Sequence, residues 1–497
     1  MRGLRAFDVV VVGGGAAGCV MAARLAERSS RSVLLIEGGS DVRRNVPEGL
    51  RDGWRIVPTA DIDWGYRSEP DGDGDGIPLR RVKALGGTSW VTRYVVRGAP
   101  ADYEEWAERG NPGWGFADML PFLRRLETDL EFPDAEWHGS SGPLPVTRYP
   151  EVNLTDVAAA GLAAVESAGF AFVEDHNQPG ALGVGRMPRN SRAGQRTIPA
   201  DVYLPLDDAS PNLTIRCETH VDRLILDDGR AGGVVLADGS SVRAGHVVLC
   251  AGTYGTPAVL MRSGIGPAED LRSLGIVVAR DLPGVGANLS DHAATAVECA
   301  CEAPSRQSPI LDLIATFHSS AVGSDQAPDL AFWFTDPQGY QPSFEIEVVL
   351  LRPEAKGSVS LRSADPMAPL RITLPPRDRA ADLDRMVEGF GRAVEVARSD
   401  ALRRAGTRPP VPGLTSEPEI REHVRSNVYP IPHVIGTCAM GPDPEAAAVV
   451  DAAGSVHGMD GLTVADASII PLAHSGFTHV VVIAAAEKIA EHLGSML

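Results

Sequence analysis

The sequence predicts an α/β fold: a Rossmann-like domain interleaved with an α+β domain built on an antiparallel sheet. Three observations carry this: a strand–turn–helix–strand unit over residues 8–37, a β-rich region over 329–374 followed by a helical period, and a closing strand–helix pair over 461–497. In the first unit, Val9, Val10, Val11 and Val12 form an apolar, β-branched run suited to a strand buried on both faces. It enters Gly13-Gly14-Gly15-Ala16-Ala17-Gly18, a helical pattern follows to about Glu27, and a second strand over 32–36 ends on Glu37. This is G-x-G-x-x-G in the context it requires. Gly13 permits the tight turn, Gly15 lets a pyrophosphate approach the backbone, and Gly18 lets helix and strand pack closely. The diphosphate would meet free N–H groups and the positive end of the helix dipole. Glu37 is placed to accept hydrogen bonds from a ribose diol. The unit predicts dinucleotide binding.

The later elements follow in order. Residues 213–250 read as short strands, LTIR, VDRLILDD, AGGVVLADG and SVRAGHVVLC. They end at Ala251-Gly252, small residues suited to close approach of a cofactor. DLAFWF, FEIEVVLL, GSVSLRS and LRIT supply the second β region over 329–374, and 379–398 carries a helical period; these predict a separate, substrate-side domain. In 461–497, LTVAD and then VVVIAAAEKIAEHL return to the first domain and close its sheet.

Composition excludes several classes. At 497 residues, with 44% apolar and 22% charged content, the chain is globular and long enough for two domains. Its net charge of −19 argues against nucleic acid or anionic membrane as a partner. Lys83, Lys356 and Lys488 are the three lysines, so nearly all positive charge is arginine, as in GC-rich genomes. Cys19, Cys217, Cys250, Cys299, Cys301 and Cys438 are scattered; Cys299 and Cys301 share a strand face, but no second pair completes a zinc site, and no metal is expected. DGDGDG at 71–76 matches the opening of a calcium loop, but Val82 stands where a bidentate glutamate is needed, so a flexible acidic turn is the expectation. The apolar run over 9–23 is too short to span a bilayer, and no targeting segment is read, which predicts a cytoplasmic protein with no membrane span.

Four blocks in order resemble the glucose–methanol–choline flavoprotein oxidoreductases across essentially the whole chain. They are the unit above; ALGGTSWVTRYVVRGAPADYEEWAERGNPGWGF (84–116); CAGTYGTPAVLMRSGIGP with DLPGVGANLSDH (250–267 and 281–292); and HVIGTCAMG through SGFTHVVVIAAAEK (433–488). The resemblance implies FAD, bound extended with its ring system between the two domains. The FAD-binding domain is expected over 1–140, 195–298 and 432–497, and the substrate-binding domain over 141–194 and 299–431. Carried over by position, the cofactor contacts are Gly13, Gly15, Ala17, Gly18, Glu37, Trp64, Gly86, Ser89, Val221, Ala251, Asp466 and Ala467. Trp64 matches a family aromatic near the adenine. Asp466 suits hydrogen bonding near the ribityl and diphosphate, or equally a helix cap ahead of Ser468.

Oxidising a C–OH group needs a base for the hydroxyl proton and a hydride acceptor, here flavin N5. His433, in YPIPHVIGT, falls on the family's catalytic histidine, with an apparent pKa expected within about a unit of ~6.5. The partner position departs from the family: Ser475-Gly476 is followed by Phe477, where His or Asn is usual. His479 or His474 is expected to replace the lost hydrogen bond, His479 first, provided residues 477 and 479 share the face of an extended segment; a flavin contact is the other role open to His479. Thr92 also replaces a usual Asn, in a segment one residue short, so reactivity with oxygen is not implied. Trp90 and Tyr94 form either an aromatic substrate wall or core packing.

The expected function is FAD-dependent oxidation of a small-molecule alcohol, with O2 or another electron acceptor, in a source where such enzymes modify secondary metabolites. A non-redox flavoprotein of the same fold, a lyase or a light-driven decarboxylase, is the alternative that Phe477 keeps open. An inactive flavin-binding remnant is weakened by the presence of His433.

Overall fold

In strand Ala6–Val12 the run Val9–Val12 carries no polar alternation because both its faces are covered: all four valines are buried between parallel neighbours. The computed structural model describes residues 6–27, 30–52, 60–70, 74–150, 153–207, 210–301, 311–337, 343–408 and 416–497. Across the first sheet the order is Val221–Asp227, Arg230–Leu236, Ser241–Leu249, Ala6–Val12, Val33–Ile36 and Leu213–Arg216. The last four run parallel, and the first two strands form an antiparallel extension. Strand Ser241–Leu249 is shared along one edge. Ser241, Val242 and Arg243 pair with Arg230–Leu236, while Val247, Val248 and Leu249 pair in parallel with Leu462–Val464. The terminal strand therefore closes the sheet as expected.

Helix Ala16–Glu27 packs beside helix Thr478–Met496, and Arg24 donates to the buried Glu487 carboxylate, which also accepts from the Tyr203 hydroxyl at 2.8 Å. A charge so buried is stable only when paired in this way.

The second sheet is antiparallel, in the order Tyr429–Pro430, Ala293–Ala300, Ser343–Leu350, Leu330–Thr335, Leu311–Phe317 and Gly183–Arg186. Its period of two sorts the side chains. Leu330, Phe332 and Phe334 face one way with Phe344, Ile346 and Val348, in a core shared with helices Asp156–Ser167 and Ala380–Ala397. Ala331, Trp333 and Val349 face the other way and pack against Tyr94, Val96, Ile431 and Phe477.

Two boundaries and one segment depart from the sequence expectation. Strand Ala293–Ala300 pairs with Ser343–Leu350 along its length, so the cut expected at 298 falls inside a strand of the second sheet. The chain leaves the SDH motif at His292 and enters that sheet at once. Glu127–Asp129, Leu144–Arg148 and Pro188–Arg189 form a small sheet across the cut expected at 140. Strands Ser358–Ser360 and Arg371–Thr373 make a separate ladder, whose Val359 and Ile372 pack with Tyr254, Leu289 and Val434. Residues 71–73 of the acidic stretch lie outside the described residues. Among the described residues, no helix is long and apolar enough to cross a membrane.

Candidate active site

The carboxyl ends of the parallel strands open on a cavity of about 810 Å³. Gly13 follows Ala6–Val12, Glu37 follows Val33–Ile36, Ala251 comes just after Ser241–Leu249, and Asp466 just after Leu462–Val464; all four line it. Open α/β sheets bind their ligands in this crevice. The glycines divide by task. Gly13 has φ +98°, and a Cβ there would lie 2.4 Å from the Cys250 carbonyl oxygen. At Gly18 a Cβ would lie 1.8 Å from the Gly13 oxygen, so this glycine sets the helix against the strand. A Cβ on Gly15 would meet no protein atom within 4 Å, because it faces the open cavity. Gly86, with φ +100°, turns the second glycine pair, and a Cβ on Gly87 would approach Gly15 Cα to 2.9 Å. Gly18 and Gly86 thus shape the wall from behind, while Gly13, Gly15, Ala17, Ser89 and Ala467 line it.

Helices Ala16–Glu27 and Gly252–Arg262 both start on this wall without an acidic residue in their first turns. Their positive ends therefore favour an anion in the cavity. Glu37 accepts from the N–H groups of Gly14 and Gly39, both at 2.7 Å, and burial pushes its carboxyl up. Each of its oxygens keeps a second acceptor site. Trp64 and Val221 line the same end, with the Lys83 ammonium 5.0 Å over the indole. Asp466 is a cap: one oxygen accepts from Gly252 and Thr256, the other from the Ser468 N–H and hydroxyl. The protein thus engages both of its oxygens. Tyr254 Oη and His479 Nε2 are buried on the wall without a protein partner, which a polar occupant would correct. A long cavity with glycine turns, two helix N-termini, an aromatic end and unpartnered polar atoms fits FAD.

His433 lines the same cavity. Its N–H donates to Asp291 Oδ1 at 2.8 Å, and its carbonyl accepts from the Thr478 hydroxyl at 3.0 Å, so two distant segments fix its backbone. Its Nδ1 is 3.1 Å from Nδ1 of His292, whose Nε2 is 3.0 Å from the His474 carbonyl oxygen. Phe477 meets the ring edge-on at 4.9 Å, and Trp333 lies at 5.8 Å. Trp333 and Phe477 stack at 4.8 Å, with Tyr94 5.3 Å beyond Phe477. Burial, then the neighbouring His292 and His474, then Arg81, holds His433 well below the ordinary histidine range. Burial lowers His292 and His479 to about 4 and His474 to about 3.

The partner expectation meets a different geometry. Helix Thr478–Met496 begins directly after the extended residue Phe477, so residues 477 and 479 do not share the face of a strand. Phe477 packs on His433, while His479 lines the cavity with Val482, one turn further along. His474 is buried behind His292 and edge-on to Trp106, off the cavity wall. Trp90 is core: it is fully buried and its Nε1–H donates to the Leu85 carbonyl at 2.8 Å. Tyr94 joins the aromatic wall, and Thr92 lines the cavity. The sequence reading assigned no role to His292 or Trp333. His292 ends the block over 281–292, whereas alternation in DLAFWF does not say which face meets the other domain.

Residues 7–294 match the N-terminal and residues 353–486 the C-terminal family model of GMC oxidoreductase. The 5-(hydroxymethyl)furfural oxidase of Methylovorus sp. (strain MP688) is 33% identical over 531 residues, covering 98% of each chain. Pyridoxine 4-oxidase from Mesorbium loti superposes with a TM-score of 0.88 at 29% identity, over 98% of each chain. A variant formate oxidase of Aspergillus oryzae RIB40, solved for the modification of its FAD, gives 0.89 at 25% identity, over 100% of this chain and 99% of that one. The chain belongs to the GMC oxidoreductase family and is an FAD-dependent oxidoreductase.

Proposed function

We propose that the chain oxidises the C–OH group of a small organic alcohol, with His433 as the general base. The observation that carries this is a neutral, half-buried imidazole on the wall of the FAD cavity, at the junction with the second sheet. Bound FAD supplies the hydride acceptor. His433 takes the hydroxyl proton as the C–H bond breaks, and its backbone bonds to Asp291 and Thr478 hold the ring in place. The Trp333–Phe477–Tyr94 wall excludes water from that side of the imidazole. The Phe477 ring neither donates nor accepts, so the substrate oxygen depends on His433 and on the cofactor's surroundings. His479 serves as a cofactor contact, its unpartnered Nε2 facing the cavity. The first sheet and its helices hold FAD through the residues lining the cavity, and the second sheet walls the substrate side. The names of the furfural and pyridoxine oxidases support an alcohol donor. O2 or another acceptor reoxidises the flavin.

Anaerobic mixing of the purified flavoprotein with a panel of primary and secondary alcohols tests this. Bleaching of the oxidised flavin band supports alcohol oxidation. A flavin that no alcohol reduces, in a protein that converts a substrate without net redox change, supports the lyase or decarboxylase reading that Phe477 keeps open.

A further inference from the structure

We propose that His292 is a positioning residue that fixes the tautomer of His433, leaving Nε2 of His433 as the bare nitrogen that receives the substrate proton. The inference rests on the reading of His433 as the base. It follows from a chain of polar contacts that ends on a group able to do only one thing. A carbonyl oxygen accepts and never donates, so the 3.0 Å contact of His292 Nε2 with the His474 carbonyl places a hydrogen on Nε2. His292 is 2% exposed, and the adjacent Asp291 carboxylate is turned to the backbone N–H of His433. Burial keeps its imidazole neutral, with one N–H, so Nδ1 presents a lone pair. The atom 3.1 Å away, His433 Nδ1, must then be the donor, because two lone pairs cannot face each other at that distance. The single N–H of neutral His433 is spent there, and Nε2 is free.

The arrangement orients as well as assigns. Turning the His433 ring over would set a C–H against the His292 lone pair, and the rings of Phe477 and Trp333 restrict that turn. Once Nε2 takes the substrate proton, the cation keeps its Nδ1–H bonded to His292, so the product state gains a partner already in place. In a chain with phenylalanine at the usual partner position, this contact orders the base from behind.

The test uses the FAD-loaded protein and two substitutions. Glutamine at 292 offers an acceptor and a donor on one planar group; leucine offers neither. His292→Leu should lower the limiting rate of anaerobic flavin reduction about 10–100-fold, the usual loss when a histidine's supporting partner goes, with FAD content and substrate affinity kept. His292→Gln should recover most of that loss. Independently of turnover, 15N spectra of histidine-labelled protein should show His433 protonated at Nδ1 and bare at Nε2, with its signals assigned by their loss in His433→Gln. In His292→Leu the two shifts should move toward an average. A wild-type rate in His292→Leu, equal losses in both variants, or a proton on Nε2 of His433 overturns the proposal. If His292→Leu fails to fold, the wild-type spectrum and His292→Gln decide. A wild-type flavin that no alcohol reduces overturns the oxidation reading instead, while the spectrum still reports the tautomer.

Discussion

A histidine works as a base only where it is unprotonated, and for His433 the burial of the ring decides this. The sequence places its apparent pKa near that of free histidine, but burial, His292, His474 and Arg81 push it well below 6.5. The limiting rate of flavin reduction is therefore expected to stand on its plateau already at pH 6.5 and to fall only as the solution becomes more acidic. Rapid mixing across the acid range reads this, and a midpoint at or above 6.5 would show that the surroundings of the ring do not lower its basicity. The size of the contribution is a separate question. His433→Ala should slow flavin reduction on the order of 10²–10⁴-fold, the range for a positioned acid or base, while FAD stays bound. Normal reduction in that variant would remove His433 from the chemistry.

At the scale of the element, the strand–turn–helix unit gives two substitutions with opposite failures. Gly15→Val adds a side chain where no protein atom lies within 4 Å, so the chain should fold and purify colourless, its branched carbons occupying the cofactor's place. Gly18→Val drives Cβ to 1.8 Å from the Gly13 oxygen, so helix Ala16–Glu27 cannot seat on its strand and soluble protein should be lost. Circular dichroism and the flavin absorbance of both variants separate the outcomes; a yellow Gly15→Val protein would mean the diphosphate lies elsewhere. This unit was legible because spacing and context agree in one short stretch, and so was the terminal strand that closes the sheet. The break between Phe477 and His479 was not. The sequence reads the helix from Val480 on and leaves 477–479 open between extended and helical. The helix in fact starts at Thr478, in a segment covered all round: Val480, Val481, Ile483 and Ala484 are 0% exposed. That earlier start turns His479 away from Phe477. His292 was hidden differently, since its importance lies in a contact with His433, 141 residues away.

The whole molecule couples this wall to a buried ionic cluster. Phe477 donates its N–H to Val96 O at 2.7 Å, and the next residue, Arg97, pairs with Glu127. His138 stands between carboxylates, with Nδ1 2.6 Å from Glu127 and Nε2 2.9 Å from Asp175, and Arg148 bridges Asp175 to Asp129. Both ring nitrogens face carboxylates, so the site favours the doubly protonated ring, against an Arg97 N–H that lies 3.3 Å from Nδ1. Burial opposes that charge, but the bonds to Asp175 and Glu127 outweigh it and raise His138 above 6.5. Burial also works against the two carboxylates, yet Arg97 and His138 lower Glu127, and His138 and Arg148 lower Asp175. The signs then differ on the two sides of neutrality. The His138 contribution is complete below pH 6.5 and is lost as pH rises through its raised folded value. The carboxylate contributions are complete above 4.5 and are lost as pH falls through their depressed folded values. The melting temperature of the FAD-loaded protein should therefore decline from pH 6.5 upward as well as at strongly acid pH. His138→Gln removes one member of a buried paired set, a loss of about 3–5 kcal/mol, so its melting temperature should be lower at pH 6. That variant should also lose the decline on the alkaline side, because nothing in the cluster then titrates there. Equal alkaline slopes for the two proteins would show that His138 is neutral and that the cluster is held by its arginines alone.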